Sequence, residues 1–210
     1  MSDLIRRASP EGRVKRGRSE FATPRQVLDF WFGAPDESGA LPFRTEWFNG
    51  GAAFDARIRA RFLPTLEAAL AGGCAHWAAD ADGTLALLLM LDQFTRNVFR
   101  DTPRAFAGDP VALAMALRLL ENGWHRELAP VQQVFAYLPF EHSEVLSEQD
   151  RSVALTRAWP QDDALALCHG YALRHRDVIR RFGRFPHRNA ILGRATTARE
   201  NDFLAEHGGF

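Results

Sequence analysis

Three stretches of this chain place ionisable and hydrogen-bonding side chains where they could do chemistry. In the first, Leu85–Leu91 is an unbroken hydrophobic run that leads straight into Asp92-Gln93-Phe94-Thr95-Arg96-Asn97. At helical pitch Asp92, Gln93, Arg96 and Asn97 fall within one arc of about 140°, opposite Leu91, Phe94, Val98 and Phe99. A buried helix with a polar arc must aim it at a pocket or at a hydrogen-bond network. Asp92 and Arg96, four residues apart, can also pair with each other.

The second stretch, Tyr137-Leu138-Pro139-Phe140-Glu141-His142-Ser143-Glu144, combines two carboxylates, an imidazole and a hydroxyl after a proline expected to end a helix. If residues 140–149 are helical, Glu141, Glu144 and Glu148 share a face and His142 points elsewhere. The third stretch, residues 174–189, sets many arginines, His175 and His187 among Val178, Ile179, Phe182 and Phe185. Arg180, Arg181 and Arg184 crowd a helix C-terminus, where the macrodipole favours cations. That leaves His187, Arg188 and Asn189, beyond the Gly183 stop, without a helical reason, and a turn begun by Pro186 would aim them back over the fold.

Imidazoles titrate near neutrality, so His187 and His142, with Glu141 beside them, are the candidates for proton transfer. Arg96, Arg181, Arg184 and Arg188 are candidates for holding an anion. Asp92, Gln93, Asn97, Glu144, His175 and Asn189 are the groups that would orient ligand or side chains. No Glu-x-x-His, His-Glu-x-x-His, Cys-x-x-Cys, Gly-x-Gly-x-x-Gly or phosphate-loop pattern occurs. No cofactor or metal is therefore expected.

The elements that must position these groups read as helices throughout. Thr23-Pro24 opens one that Gly33 stops, and Phe54, Ile58, Phe62, Leu66 and Leu70 form the stripe of a second over residues 52–71, in which Pro64 should cause a kink or a break. A third spans about 84–99. Asp109-Pro110 starts the next, Pro130 another that ends at Pro139, and others follow over about 148–159 and 162–182. Thr197-Ala198-Arg199-Glu200 is a capping box for a last helix ending near His207. No stretch alternates with period two. The expected fold is all-α, a multi-helix bundle or stack of antiparallel helical hairpins without a sheet, occupying residues 23–210. Residues 1–22, polar and basic, are expected to form a mobile tail.

Acidic and basic residues number 26 each, so no global field draws nucleic acid or an anionic membrane, and neither is expected as a partner. The longest apolar run is too short to span a bilayer and no secretory signal precedes it, so a cytoplasmic location is expected. Cys74 and Cys168 are expected as free thiols.

Val-Leu-Asp-Phe-Trp-Phe-Gly at 27–33, Leu-Asp-Gln-Phe-Thr-Arg-Asn-Val-Phe-Arg at 91–100, the 137–144 segment and Arg-Phe-Gly-Arg-Phe-Pro-His-Arg-Asn-Ala-Ile-Leu-Gly-Arg at 181–194 resemble, in this order, the domain of unknown function 924 family of bacteria. The resemblance implies a tetratricopeptide-like helical fold and brings no activity. Where that family usually has proline, this chain has Thr95, which should let its helix run straighter. The residues alone support a pocket for a small anionic or strongly hydrogen-bonding ligand, with catalysis open. The alternatives are a module that captures an acidic peptide or carboxylate, or a buried polar network with a purely structural role. The oligomeric state is open.

Overall fold

A computed structural model describes residues 21–157, 159 and 163–209. The basic tail therefore lies, apart from its last two residues, outside the described residues. Among those described there are helices and turns and no strand.

Helix α1 (Pro24–Phe32) begins at a reciprocal cap: Gln26 N–H donates to Thr23 Oγ1 at 3.3 Å and Thr23 N–H to Gln26 Oε1 at 2.9 Å. Gly33, at φ 76°, ends it, and Arg44 Nη1 donates to the terminal carbonyls of Phe30 and Trp31 at 2.9 and 2.8 Å. After the short α2 (Glu46–Asn49), α3 (Gly51–Leu70) runs unbroken through Pro64. Its buried stripe, Phe54, Ile58, Phe62 and Leu66, is the one its periodicity predicts. With Trp31, Phe32, Trp47, Phe94 and Phe135 it forms an aromatic core of edge-on and tilted rings.

Helix α4 (Ala81–Leu89) is buried from Gly83 onward, as its unbroken hydrophobic sequence requires. It packs against α1, α6 (Asp109–Glu121) and α7 (Pro130–Glu141). Each later helix packs on its predecessor, α7 on α6, α8 (Leu146–Thr156) on α7 and α9 (Asp163–Phe182) on α8, the neighbour relation that short connections impose. A second, smaller cluster of Val178, Ile179 and Phe185, flanked by Phe182 and Phe203, ties the end of α9 to α10 (Ala198–His207). Thr197 and Glu200 cap α10 reciprocally, as predicted.

Two local departures from the expected helices matter for the site. The single helix predicted over residues 84–99 is divided by one π-helical turn, Met90–Phe94, before α5 (Thr95–Val98). Threonine at 95 does not straighten the helix, because wide turns leave carbonyls for side chains to satisfy and Thr95 does so. Its hydroxyl donates to the carbonyls of Leu91 (2.9 Å) and Asp92 (3.1 Å), and Arg96 Nη1 donates to the latter at 2.7 Å. Likewise α7 does not stop at Pro139 but continues to Glu141, and residues 142–145 are not helical. Glu141, Glu144 and Glu148 consequently do not share a face.

The π turn also receives the N-terminus of α6. A Cβ on Gly108, the residue before α6, would lie 2.1 Å from the Leu91 carbonyl oxygen and 2.8 Å from its carbon. Backbone bounds this contact on both sides, so neither partner can rotate away. Gly108→Ala should therefore cost about 1–3 kcal/mol, read as a lower urea midpoint. An unchanged midpoint would show that the two segments are not in this contact.

Candidate functional site

At the junction of the two hydrophobic clusters, α4–α5, α6, the end of α7, α9 and the 186–188 turn bring charged groups together. Asp92 is the centre. It has no exposed surface, because it follows seven core residues in a helix buried all round. One carboxylate oxygen, Oδ1, accepts from His142 Nδ1 at 2.7 Å and faces Arg96 Nη1 at 3.1 Å. The other accepts from the Gln93 amide. Arg96 also grips Asp109 with two hydrogen bonds, of 2.8 and 3.0 Å. Burial alone would raise the Asp92 pKa. The nearby Arg96 and His142 outweigh it and hold the carboxyl well below its usual range.

An ionised carboxylate can only accept, so His142 must carry its proton on Nδ1 and keep the Nε2 lone pair. Burial and then the positive field of Arg96 lower the His142 pKa against the pull of Asp92, so the ring is neutral at neutral pH. His175, whose ring centre is 6.4 Å away, stands 3.1 Å by Nδ1 from Glu141 Oε1 and 2.9 Å from the Tyr171 carbonyl. Burial, reinforced by His142 and Arg188, takes its pKa down to about 3. Glu141 moves the other way: burial, then the charge of Asp92, pushes it up to about 8. At neutral pH this pair is two neutral groups, not a salt bridge.

The 3₁₀ turn Pro186–Arg188 supplies the remaining members. Pro186 sets the turn, and Arg188 reaches back so that Nη1 donates to the His142 carbonyl at 3.1 Å and lies 3.7 Å from Asp109 Oδ2. Its guanidinium packs over Phe185 (4.4 Å) and Phe106 (4.8 Å), and its buried Nε–H has no partner among the described residues. Burial and the like charge of Arg96 lower its pKa to about 10, which leaves it cationic. His187 is brought down to about 4 by burial and by Arg188. The cluster thus holds the ion-paired Asp92, Arg96, Asp109 and Arg188, a protonated Glu141, and three neutral imidazoles. Little of the cluster reaches solvent: the side chains of His142, Arg96 and Asp109 are 14%, 21% and 23% exposed.

Of the candidate residues, Asp92, Gln93, Arg96, Glu141, His142, His175, His187 and Arg188 converge. The others do not. Asn97 turns to α3 and donates to Asp55 Oδ1 at 2.7 Å. Arg184 holds Glu200 in a two-pronged pair, 2.6 and 2.8 Å, so it locks α10 to α9. Glu144 accepts from the Phe185 amide at 2.8 Å and from Arg194 at 2.8 and 3.0 Å, and Asn189 accepts from Arg194 at 3.0 Å. This clasp fixes the 186–188 turn rather than facing a ligand. Arg181 points to the opposite side of α9, over Phe182 and Phe203. Sequence reasoning missed Asp109 and Arg194. Asp109 reads as a helix opener because Pro110 follows it, and only the fold reveals that its carboxylate faces Arg96.

Two clefts, of about 800 and 490 Å³, open elsewhere, one beside Phe21 and Trp77 and the other beside Tyr171 and Phe203. Among the described residues no set of three His, Cys, Asp or Glu side chains has metal-binding geometry, no helix is long and apolar enough to cross a membrane, and Cys74 and Cys168 are not joined in a disulfide.

The convergent residues fall within the sequence that matches a family described as "Bacterial protein of unknown function (DUF924)", over residues 27–208. Among solved structures the chain is similar to one titled "Structure of Protein of Unknown Function ATU0120 from Agrobacterium tumefaciens". The two share 37% identity and a TM-score of 0.76, over 87% of this chain and 97% of the other. No curated protein matches. With the family covering nearly all of the described domain and a relative of the same fold at this identity, the chain belongs to the DUF924 family.

Proposed function

We infer that the Asp92–His142 cluster is a binding site for a small anion of the carboxylate or phosphate class, held by Arg188, with His142 placed to move a proton. One observation carries this reading: a fully buried aspartate is held at 2.7 Å against a histidine, beside a buried guanidinium whose Nε–H lacks a partner among the described residues. A purely structural cluster would be expected to satisfy that donor, since each unmet buried group costs about 1–3 kcal/mol. Perturbed groups packed together in this way also mark functional sites. The ligand must be small, because little of the cluster reaches solvent and neither large cleft reaches it.

The chemistry follows from the protonation states. Arg188 supplies charge and in-plane donors. His142, with Asp92 fixing its tautomer, offers Nε2 as a base at neutral pH. A bound anion would raise the His142 pKa, so binding should take up a proton and strengthen as pH falls. A second reading, that the polar motifs form an internal network, is favoured by the Arg184–Glu200 and Glu144–Arg194 clasps; we assign it to that half of the motif alone.

The test is the thermal shift of the purified protein with inorganic phosphate and with acetate at pH 6 and pH 8. Stabilisation should be larger at pH 6 and lost in Arg188→Lys and in His142→Gln, provided both variants retain the helical circular dichroism spectrum. No stabilisation by either anion, or stabilisation that survives both changes, would sink the binding reading.

A further inference from the structure

The 490 Å³ cleft is built differently from the cluster and uses none of its residues. Its walls are one face of α9 (Tyr171, Arg174, Asp177, Val178, Arg181) and the C-terminal end of α10 (Phe203, His207, then Gly208 and Gly209). Arg174 lies over the Tyr171 ring at 4.1 Å, and Arg181 over Phe203 at 5.1 Å. Neither guanidinium is in an ion pair among the described residues, unlike Arg96, Arg184 and Arg194. Stacking on a ring uses the face of a guanidinium. Arg174 donates its Nε–H to the Gly170 carbonyl at 3.4 Å, which leaves the Nη edge of each guanidinium, whose N–H groups lie in one plane, the geometry that grips a carboxylate through two parallel hydrogen bonds.

Arg174 and Arg181 are seven residues apart on one helix, so the two stations lie about 10 Å apart along its axis. Between them the floor is apolar, from Val178 and the Phe203 ring. Asp177 also borders the cleft, and its charge disfavours a ligand with negative charge in its middle. The volume falls in the range of small-molecule sites, about 300–1,000 Å³.

We propose that this cleft binds a small organic dicarboxylate with an apolar spacer, one carboxylate on Arg174 and the other on Arg181. The spacer lies along Val178 and Phe203. Compact polyanions such as phosphate are poor ligands here because they reach one station only and meet Asp177. The site is separate from the anion site assigned to Arg188, and either can fail without the other.

Calorimetric titration of the full-length protein with sebacate, succinate and decanoate tests the assignment. Sebacate, long enough to reach both stations, should bind roughly tenfold or more tightly than succinate or the monocarboxylate decanoate. Arg174→Gln and Arg181→Gln, both at exposed positions, should each weaken sebacate roughly tenfold, whereas Arg188→Lys should not. Absence of saturable sebacate binding, equal affinity for the three acids, or loss of binding in Arg188→Lys would each overturn the proposal.

Discussion

Replacing Asp92 with alanine is expected to remove about 3–5 kcal/mol of folding stability, the range for breaking a buried charge pair from one side. The loss has identifiable parts. The Asp92 carboxylate, itself fully buried, accepts from His142 and Gln93 and faces Arg96. Arg96 keeps its two bonds to Asp109, so it is not orphaned. The His142 Nδ1–H and the Gln93 amide are, and each unmet donor costs about 1–3 kcal/mol. Asp92→Asn fills the same volume and should cost less, while releasing the His142 tautomer. Urea unfolding of the two variants measures both effects. A loss under about 1 kcal/mol for alanine would mean that the carboxylate is not the keystone its burial indicates.

The all-helical fold was legible because its signals are local. The Thr23 and Thr197 caps, the Gly33 and Gly183 stops and the stripe on α3 each depend on residues within a turn or two, and each is where periodicity puts it. The site was legible only in part. Asp92 with Arg96, and Arg188 with the imidazoles, could be nominated by type and spacing, since polar groups after a hydrophobic run need partners. Which partner each takes is decided by packing between distant segments. Asp92 lies 50 residues from His142 and Arg184 16 from Glu200, and nothing near either in sequence names the mate. The π turn escaped for a related reason. It is stabilised by side chains that cap its carbonyls and by the close approach of Gly108, a tertiary contact. The sequence likewise singled out the segment beyond the Gly183 stop, through His187, Arg188 and Asn189. The structure splits that segment, with Arg184 and Asn189 in clasps and Arg188 in the cluster.

The pH dependence of stability should carry the opposite signatures of Asp92 and Glu141, and Glu141→Gln isolates the second. Burial and the charge of Asp92 raise Glu141 from the ordinary 4.5 to about 8. Between those values the folded protein keeps a proton that the unfolded chain has lost. The slope of stability against pH is then negative. The contribution is complete below 4.5 and is lost as pH climbs through about 8, over a span worth on the order of 5 kcal/mol. Asp92, whose pKa is held low, behaves in reverse: its contribution is present above the normal aspartate pKa and is lost as pH falls through the depressed one. Glutamine at 141 preserves the size and the oxygen that faces His175 and cannot ionise. The variant and the parent should therefore have similar stability near pH 5. The variant should then gain steadily, with the difference levelling off above about pH 8. Urea midpoints at pH 5, 7 and 9 give the comparison directly. Parallel curves would show that Glu141 ionises normally, by rotating to water or by capturing a cation. In the second background, Asp92→Asn, the gain should shrink, because part of the rise in Glu141 comes from the charge that substitution removes.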